Sequence, residues 1–379
     1  MEFAWSPVQD AFRASIRDFI SANLPDGYDA LIREGLGTGP RTVMGKQFSQ
    51  KLAEQEMLVR HWPVEYGGGG DDDWWNYFIQ TEENWAAWEP RGPQYMNTSW
   101  IGPSIMRFGT EAIKQAHLPA IREGTVAWCQ GFSEPHGGTD LAAMRTSAEP
   151  VEGGYRINGS KIWTSYSPSA DYIFLLARTG KGRKDISCFL LPMDSPGILV
   201  RENPGVVPVG HLNEVFFSDV FAPVESMLGN EGEAWEIVKF VIAYERIGVP
   251  FYHMGSALLD HVVAQLQAQD RFDDSHVRAF AARVRAELEA ARQISYSVMD
   301  ERARGMPSSA LAQLGRSSNV TSGRSLLDFL SEVLGPEIGD GDGTIESYYR
   351  FTLPNGHGAG AHEVVLNAIA QGMLDLPRG

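Results

Sequence analysis

The chain has 379 residues, 43% of them hydrophobic, a formal charge of −16 and two cysteines. That is enough apolar material for two or three domains with buried cores, and such acidity excludes a general nucleic-acid or membrane-surface role, which a basic surface would serve. Cys129 and Cys188 are too few for a disulfide framework and fit a reducing cytoplasm, no apolar run approaches a membrane span, and the acidic start, entering a helix at once, predicts neither signal nor transit peptide.

The first predicted element is a helix capped by Ser6, with Pro7 at its first position and Val8, Phe12, Ile16 and Phe19 at helical spacing. Helical pattern continues to about residue 127, broken by loops. One of them, Gly67-Gly68-Gly69-Gly70 followed by Asp71-Asp72-Asp73, holds residue types used for metal or phosphate binding but reads as a solvated turn. From Trp128 to about residue 232 the runs are short and β-rich: Tyr155-Arg-Ile-Asn, Tyr172-Ile-Phe-Leu-Leu, Ile186-Ser-Cys-Phe-Leu-Leu and Val215-Phe-Phe-Ser-Asp-Val, separated by Gly, Pro and Asp. Such spacing predicts a small antiparallel barrel or sandwich. Helices return from Ala234 to about Gln269, Ser275 to about Arg304, Ser308 to Leu334, and His362 to Met373. The expected fold is α+β: an N-terminal helical domain (1–127), a central small β-barrel domain (128–232) and a C-terminal helical bundle (233–379).

Two segments of the β region carry chemistry. In Gln130-Gly-Phe-Ser-Glu-Pro-His-Gly-Gly-Thr-Asp140, glycines beside Ser133 and Thr139 let backbone N–H groups and hydroxyls approach a ligand, although a plain Gly-Pro turn accounts for the same residues. Lys161-Ile-Trp-Thr-Ser165 reads as a strand with an aromatic plate beside two hydroxyls, or with a tryptophan in the core.

Together these segments resemble the acyl-CoA dehydrogenase family, whose members read similarly to Gly-Phe-Ser-Glu-Pro-Gly-Ala-Gly-Ser-Asp and then Asn-Gly-x-Lys-x-Trp. The resemblance extends along nearly the whole chain through Trp62-Pro-Val-Glu-Tyr-Gly-Gly68, Phe108-Gly-Thr-Glu111, Asn213-Glu-Val-Phe-Phe-Ser-Asp-Val220, Glu245-Arg246 and Leu376-Pro-Arg378. It implies three domains ending in a four-helix bundle, and FAD held at the junction of the β domain and the C-terminal helices. By match, Gln130, Phe132, Ser133, Trp163, Thr164 and Ser165 line the flavin ring, and Thr139 contacts the pyrophosphate or the substrate. Two departures stand here: His136 replaces a glycine and Thr139 a serine.

The implied reaction is FAD-dependent α,β-dehydrogenation of an acyl-CoA, with flavin N5 as hydride acceptor and a carboxylate as base for the α proton. The family places that glutamate either in a C-terminal loop, here Ala359-Gly360-Ala361-His362 with no carboxylate, or in a long helix just before an arginine, here Glu245-Arg246. Glu245 is therefore the implied base. The backbone N–H of Ala359 is the implied donor to the thioester oxygen, and Arg246 an ordering residue near the substrate. No metal ligand set is expected.

The C-terminal helices depart from the family in Asp270-Arg-Phe-Asp-Asp274, Glu332-Val-Leu-Gly-Pro-Glu-Ile-Gly339 and Ala359-Gly-Ala-His-Glu-Val-Val365. The ring half of the flavin site is kept, while acidic residues oppose a pyrophosphate at the adenosine half. These departures resemble those of bacterial steroid side-chain acyl-CoA dehydrogenases, which pair unlike subunits. They imply a bulky polycyclic thioester, a related subunit as partner, and an electron-transfer flavoprotein as acceptor. Two other readings stay open on the same fold: a catalytically silent partner subunit, and a flavin oxidase or monooxygenase.

Overall fold

The computed structural model describes residues 5–34, 37–70, 74–207, 211–245, 250–304, 310–339, 343–358 and 360–377. In chain order the helices before the sheet are α1 (Pro7–Asn23), α2 (Tyr28–Glu34), α3 (Gly39–Glu54), α4 (Trp74–Ala86), α5 (Gln94–Met96), α6 (Gly102–Phe108) and α7 (Glu111–Arg122), with a π-helical turn, Asn97–Ile101, joining α5 to α6. The strands are β1 (Trp128–Gly131), β2 (Ser147–Val151), β3 (Gly154–Lys161), β4 (Tyr172–Arg178), β5 (Ile186–Pro192), β6 (Ile198–Glu202), β7 (Asn213–Pro223) and β8 (Met227–Leu228). After them come α8 (Ala234–Glu245), α9 (Phe251–Ala268), α10 (Ser275–Ala303), α11 (Ala310–Leu334), α12 (Thr344–Thr352) and α13 (His362–Gly372). The chain forms two compact units, one of residues 1–24, 72–90 and 246–379, the other of residues 25–71 and 91–245.

Local chemistry explains most boundaries. Ser6 Oγ accepts the Gln9 N–H, which is the cap expected for α1, and the Gln9 side chain in turn accepts the Ser6 N–H. Thr110 caps α7 and Asp274 caps α10 by a one-way bond, the side-chain oxygen accepting the N–H of Ile113 and of His276 respectively. The single helix expected from Ala234 to Gln269 is broken at Pro250: α8 is described from Ala234 to Glu245, and α9 begins at Phe251. Pro250, which immediately precedes α9, lacks the N–H that a continuous helix would need there. Helix α12 was not anticipated, being too short for a strong periodic signal, and it is fixed by burial of Ile345 and Tyr348.

In the second unit the strands run in the order β6-β7-β3-β2-β4-β5-β8, with β1 beside β4. Neighbours are antiparallel except that β1 and β2 lie end to end along one edge of β4, both parallel to it. Cys129, Ala148, Ile157, Leu175, Phe189, Val215 and Met227, from seven different strands, meet in one core, so the sheet curls around its own interior. The opposite face of β4 and β5 is also buried through Phe174, Leu176, Cys188 and Leu190, and β5 packs against α8. Burial on both faces explains why these two strands read as unbroken apolar runs rather than as alternations.

The first unit is helical and centred on a charged cluster. Arg13 of α1 reaches Glu82, at 2.7 Å, and Glu83, both on α4; Arg17 joins Glu83 at 2.7 Å, and Tyr252 of α9 donates to Glu82 at 2.5 Å. Burial alone would lift the Glu83 carboxyl, but Arg17 and Arg13 hold it below its ordinary value, and burial pushes the Tyr252 phenol well up so that it remains a donor. Trp5, Trp75 and Tyr296 pack edge to face around the cluster. Removing one member of a buried ion pair strands the other charge. Arg13→Met is expected to cost about 3–5 kcal/mol at neutral pH, read from denaturant unfolding. Because the folded Glu83 value is depressed, its contribution is present above the ordinary carboxylate range and lost as pH falls through the folded value. The wild type should therefore lose its advantage over Arg13→Met on acidification, and an unchanged gap between pH 7 and pH 3 would contradict this.

Candidate functional site

The site is built on the second unit, where β1 runs into a tight turn beside the end of β3. Gly131 closes β1 where a Cβ would press on Ile173 Cδ1 at 2.9 Å and Leu175 Cδ1 at 3.1 Å, so a larger residue there would displace both side chains. After it, Glu134 and Gly137 exchange backbone hydrogen bonds of 3.2 and 3.0 Å across Pro135 and His136. The turn expected from sequence is present, but it is more than a solvated bend. Glu134 is buried, and one of its oxygens accepts from Lys161 Nζ at 2.7 Å and from the Thr146 N–H at 3.0 Å. The other accepts the Arg145 N–H at 2.6 Å.

Lys161 is fully buried, and also donates to the Phe132 carbonyl at 3.1 Å. Burial pushes the Lys161 ammonium down to about 8, against the pull of Glu134. Burial would raise the Glu134 carboxyl, but Lys161 and the two backbone N–H groups bring it below its ordinary value. The pair is thus ionised at neutral pH. The Ile162 N–H adds a bond of 2.9 Å to the Ser133 carbonyl, so residues 132–134 and 161–162 form one rigid piece. Upstream, β3 is irregular between Ile157 and Gly159; Gly159 has φ 145°, and a Cβ there would stand 2.6 Å from Thr146 Cα.

The expected strand Lys161–Ser165 ends at Lys161. Trp163 takes a left-handed φ of 60° and is 53% exposed, which removes the core-tryptophan reading. Holding a bulky residue in that region costs about 1–3 kcal/mol and persists only where neighbours impose it. Here Thr164 imposes it: its N–H donates to the Asn213 carbonyl at 3.0 Å, and its carbonyl accepts from Asn213 Nδ2 at 3.1 Å and Ser167 Oγ at 3.0 Å. The Thr164 hydroxyl itself is buried without a hydrogen-bond partner. Ser165 is half-buried beside it.

The remaining ring-lining candidates lie close by in the chain. Phe132 is buried against Phe174, and Ser133 is half-buried. Gln130 accepts a hydrogen bond of 3.0 Å from the indole of Trp100, which belongs to the π-helical turn. With its carbonyl engaged, the Gln130 amide has N–H groups left to offer. Thr139 is exposed past the turn, and His136 stands at its tip, 3.4 Å from the Glu134 carboxylate. An exposed indole, a half-buried hydroxyl, an orphaned buried hydroxyl and an amide donor form a donor set suited to a planar heteroaromatic ring with polar edges.

Glu245 is the last described residue of α8 and half-buried. Ile237, Val238 and Val241 form the buried face of this helix, and the helical repeat carries Glu245 onto the same face. Arg246, Ala359 and Asp71-Asp72-Asp73 lie outside the described residues. Gly67 is left-handed at φ 83°, and a Cβ on it would meet the Arg122 side chain at 2.5 Å, so that glycine is set by packing. No group of three or more potential metal-ligating side chains occurs among the described residues, and no described helix is long and apolar enough to cross a membrane. Sequence reasoning did not find Asn213 or Trp100 as supports. Asn213 lay inside a quoted motif, whereas Trp100 carried no signal.

Residues 6–125, 129–220 and 232–374 match, in order, the N-terminal, middle and C-terminal domains of acyl-CoA dehydrogenase. Acyl-CoA dehydrogenase IpdE1 of Mycobacterium tuberculosis is 29% identical, over 97% of this chain and 98% of its own length. The short-chain-specific acyl-CoA dehydrogenase of Megasphaera elsdenii is 32% identical over 54% of this chain and 56% of its own. Among solved structures, the Tcur3481-Tcur3483 steroid ACAD has a TM-score of 0.91 at 26% identity, and the ChsE4-ChsE5 complex from Mycobacterium tuberculosis 0.86 at 26%, each comparison covering 100% of both chains. Three consecutive domain matches, in family order and over nearly the full length, show that this chain belongs to the acyl-CoA dehydrogenase family of oxidoreductases.

Proposed function

We propose that the chain is an FAD-dependent dehydrogenase that abstracts the α proton of an acyl-CoA with Glu245. The observation that carries this reading is the place of Glu245 on α8, in line with Ile237, Val238 and Val241 rather than on the outer face.

FAD, when bound, supplies the acceptor for the hydride leaving the β carbon. The half-exposed Trp163 plate, Gln130, Phe132, Ser133, Thr164 and Ser165 would hold its ring, and Thr139 its pyrophosphate or the substrate. The orphaned Thr164 hydroxyl and the strained Trp163 backbone support that assignment. Glu245 takes the α proton onto its carboxylate. The Ala359 N–H hydrogen-bonds the thioester oxygen, which stabilises negative charge as the proton leaves. Arg246 orders this end of the substrate site.

The acyl group in this proposal is a bulky steroid side-chain thioester, and the chain works in the cytoplasm with a related subunit and an electron-transfer flavoprotein as acceptor. Support comes from similarity, over the full length, to a protein described as a steroid ACAD and to a complex of two named chains.

Glu245→Gln should leave FAD bound and lower kcat by about 10²–10⁴-fold, the usual contribution of a placed base; retention of near-wild-type turnover sinks the assignment. Lys161→Met should cost about 3–5 kcal/mol by stranding Glu134 and should also lower FAD occupancy, with Lys161→Met/Glu134→Gln recovering part of both. Normal flavin content in the single variant would show that the buried pair does not support the ring site. Expressed alone, the chain should bind little FAD; co-expressed with its related subunit it should carry about one FAD per unlike pair, with activity only then, because carboxylates oppose a pyrophosphate. A fully flavinated, active homo-oligomer would overturn the pairing.

A further inference from the structure

The π-helical turn Asn97–Ile101 is followed by Gly102 and Pro103, and both residues help to define it. Within the turn the Gly102 N–H reaches back five residues, to the Asn97 carbonyl. In the same register the Thr98 carbonyl would need the N–H of Pro103, which proline does not have. Two side chains take its place: the Trp62 indole N–H donates to the Thr98 carbonyl at 2.9 Å, and His61 Nε2 lies 3.1 Å from it. Gly102 makes room for that indole, since a Cβ there would stand 2.3 Å from Trp62 Cζ2. Trp100 sits inside this turn. It is buried, and its indole is aimed at β1, where Nε1–H donates to Gln130 Oε1 at 3.0 Å. Tyr95 packs edge to face on Trp100, with ring centroids 5.5 Å apart, and on Tyr166, at 6.3 Å. Tyr166 is buried, left-handed at φ 68°, and directly follows Ser165. The aromatic series Trp100–Tyr95–Tyr166 therefore links Gln130 to the 163–165 loop, all within the second unit.

The chemistry of the indole gives this arrangement a meaning. An indole N–H only donates, so of the two ends of the Gln130 amide only the oxygen can face it. The amide is thereby held in one orientation: Nε2 and its two N–H groups are turned away from Trp100, and they make no hydrogen bond among the described residues. Without the indole, a glutamine amide turns about its broad last torsion and offers oxygen or nitrogen almost equally. An acceptor atom on a bound ring would then meet an oxygen as readily as a donor. We propose that Trp100 is a positioning residue for the flavin site, holding the Gln130 amide so that it presents N–H groups, and never its oxygen, to the edge of the bound ring. This rests on the reading of Gln130 as a ring-lining residue. Trp100 has one polar atom and spends it on Gln130, so its polar influence on the ring passes through that amide.

The test is a cycle of variants read by FAD binding, measured by titrating FAD into deflavinated protein in the form that carries flavin, the co-expressed pair on the reading above. Gln130→Leu removes the amide and should raise the FAD dissociation constant about 2- to 10-fold, the usual worth of one hydrogen bond. Trp100→Phe keeps an aromatic ring but not the N–H, and should raise it about 2- to 5-fold. Because Trp100 acts through Gln130, the double variant should bind FAD no more weakly than Gln130→Leu alone. A purely structural tryptophan gives the opposite result: its loss adds to that of Gln130, and multiplied effects in the double variant overturn the proposal. Wild-type affinity in Trp100→Phe, beside weakened binding in Gln130→Leu, also overturns it and leaves the ring-lining reading of Gln130 standing. Wild-type affinity in Gln130→Leu removes that underlying reading instead. If Trp100→Phe does not fold, Gln130→Asn decides the matter, since it carries the same amide one methylene further from the indole. Binding as weak as that of Gln130→Leu is expected there, and wild-type affinity would show that the amide needs no hold from Trp100.

Discussion

The site depends on one buried ion pair, Lys161 with Glu134. Both groups are cut off from water, which is costly unless every polar atom is matched, and the chain supplies the match: two backbone N–H groups for Glu134 and a backbone carbonyl for Lys161. Those bonds come from the ends of three separate pieces of chain, the turn after β1, the approach to β2 and the end of β3. They close only when all three are in register. The strained backbone at Trp163 and the exposed indole it presents follow from that closure and from the Asn213 clasp on Thr164. A hydrophobic contact of the same size could slide, whereas an ion pair with directional bonds cannot without exposing an unpaired charge.

The Arg13–Glu82–Glu83 cluster applies the same physics to a different end. It too buries carboxylates against guanidinium groups, adds a tyrosine donor, and draws on distant parts of the sequence. Its carboxylates face guanidinium and phenol groups of the same unit, and its rim is aromatic.

How far the sequence reached can be judged element by element. The cap at Ser6, the long helices α10 and α11, and strands β3, β4, β5 and β7 were legible, because a period of two or of 3.6 and a capping residue are local properties. The division into α8 and α9 was visible in Pro250 but was overridden by the apolar run around it. Helix α12 and strands β1, β6 and β8 are too short for periodicity and are fixed by what they pack on.

For the site the same distinction holds. The motifs around Ser133 and Trp163, and the placement of Glu245 before Arg246, are recorded in the order of residues, and that order carried the family resemblance. It could not say that Trp163 is exposed on a left-handed backbone clasped by Asn213, or that Lys161 is buried on Glu134. Each of those facts joins residues far apart in the chain, and each turns on burial, which is set by everything that surrounds a residue. A residue's chemistry is fixed by its identity, but whether its charge is paired or its ring exposed is decided by neighbours that arrive only when the chain has folded.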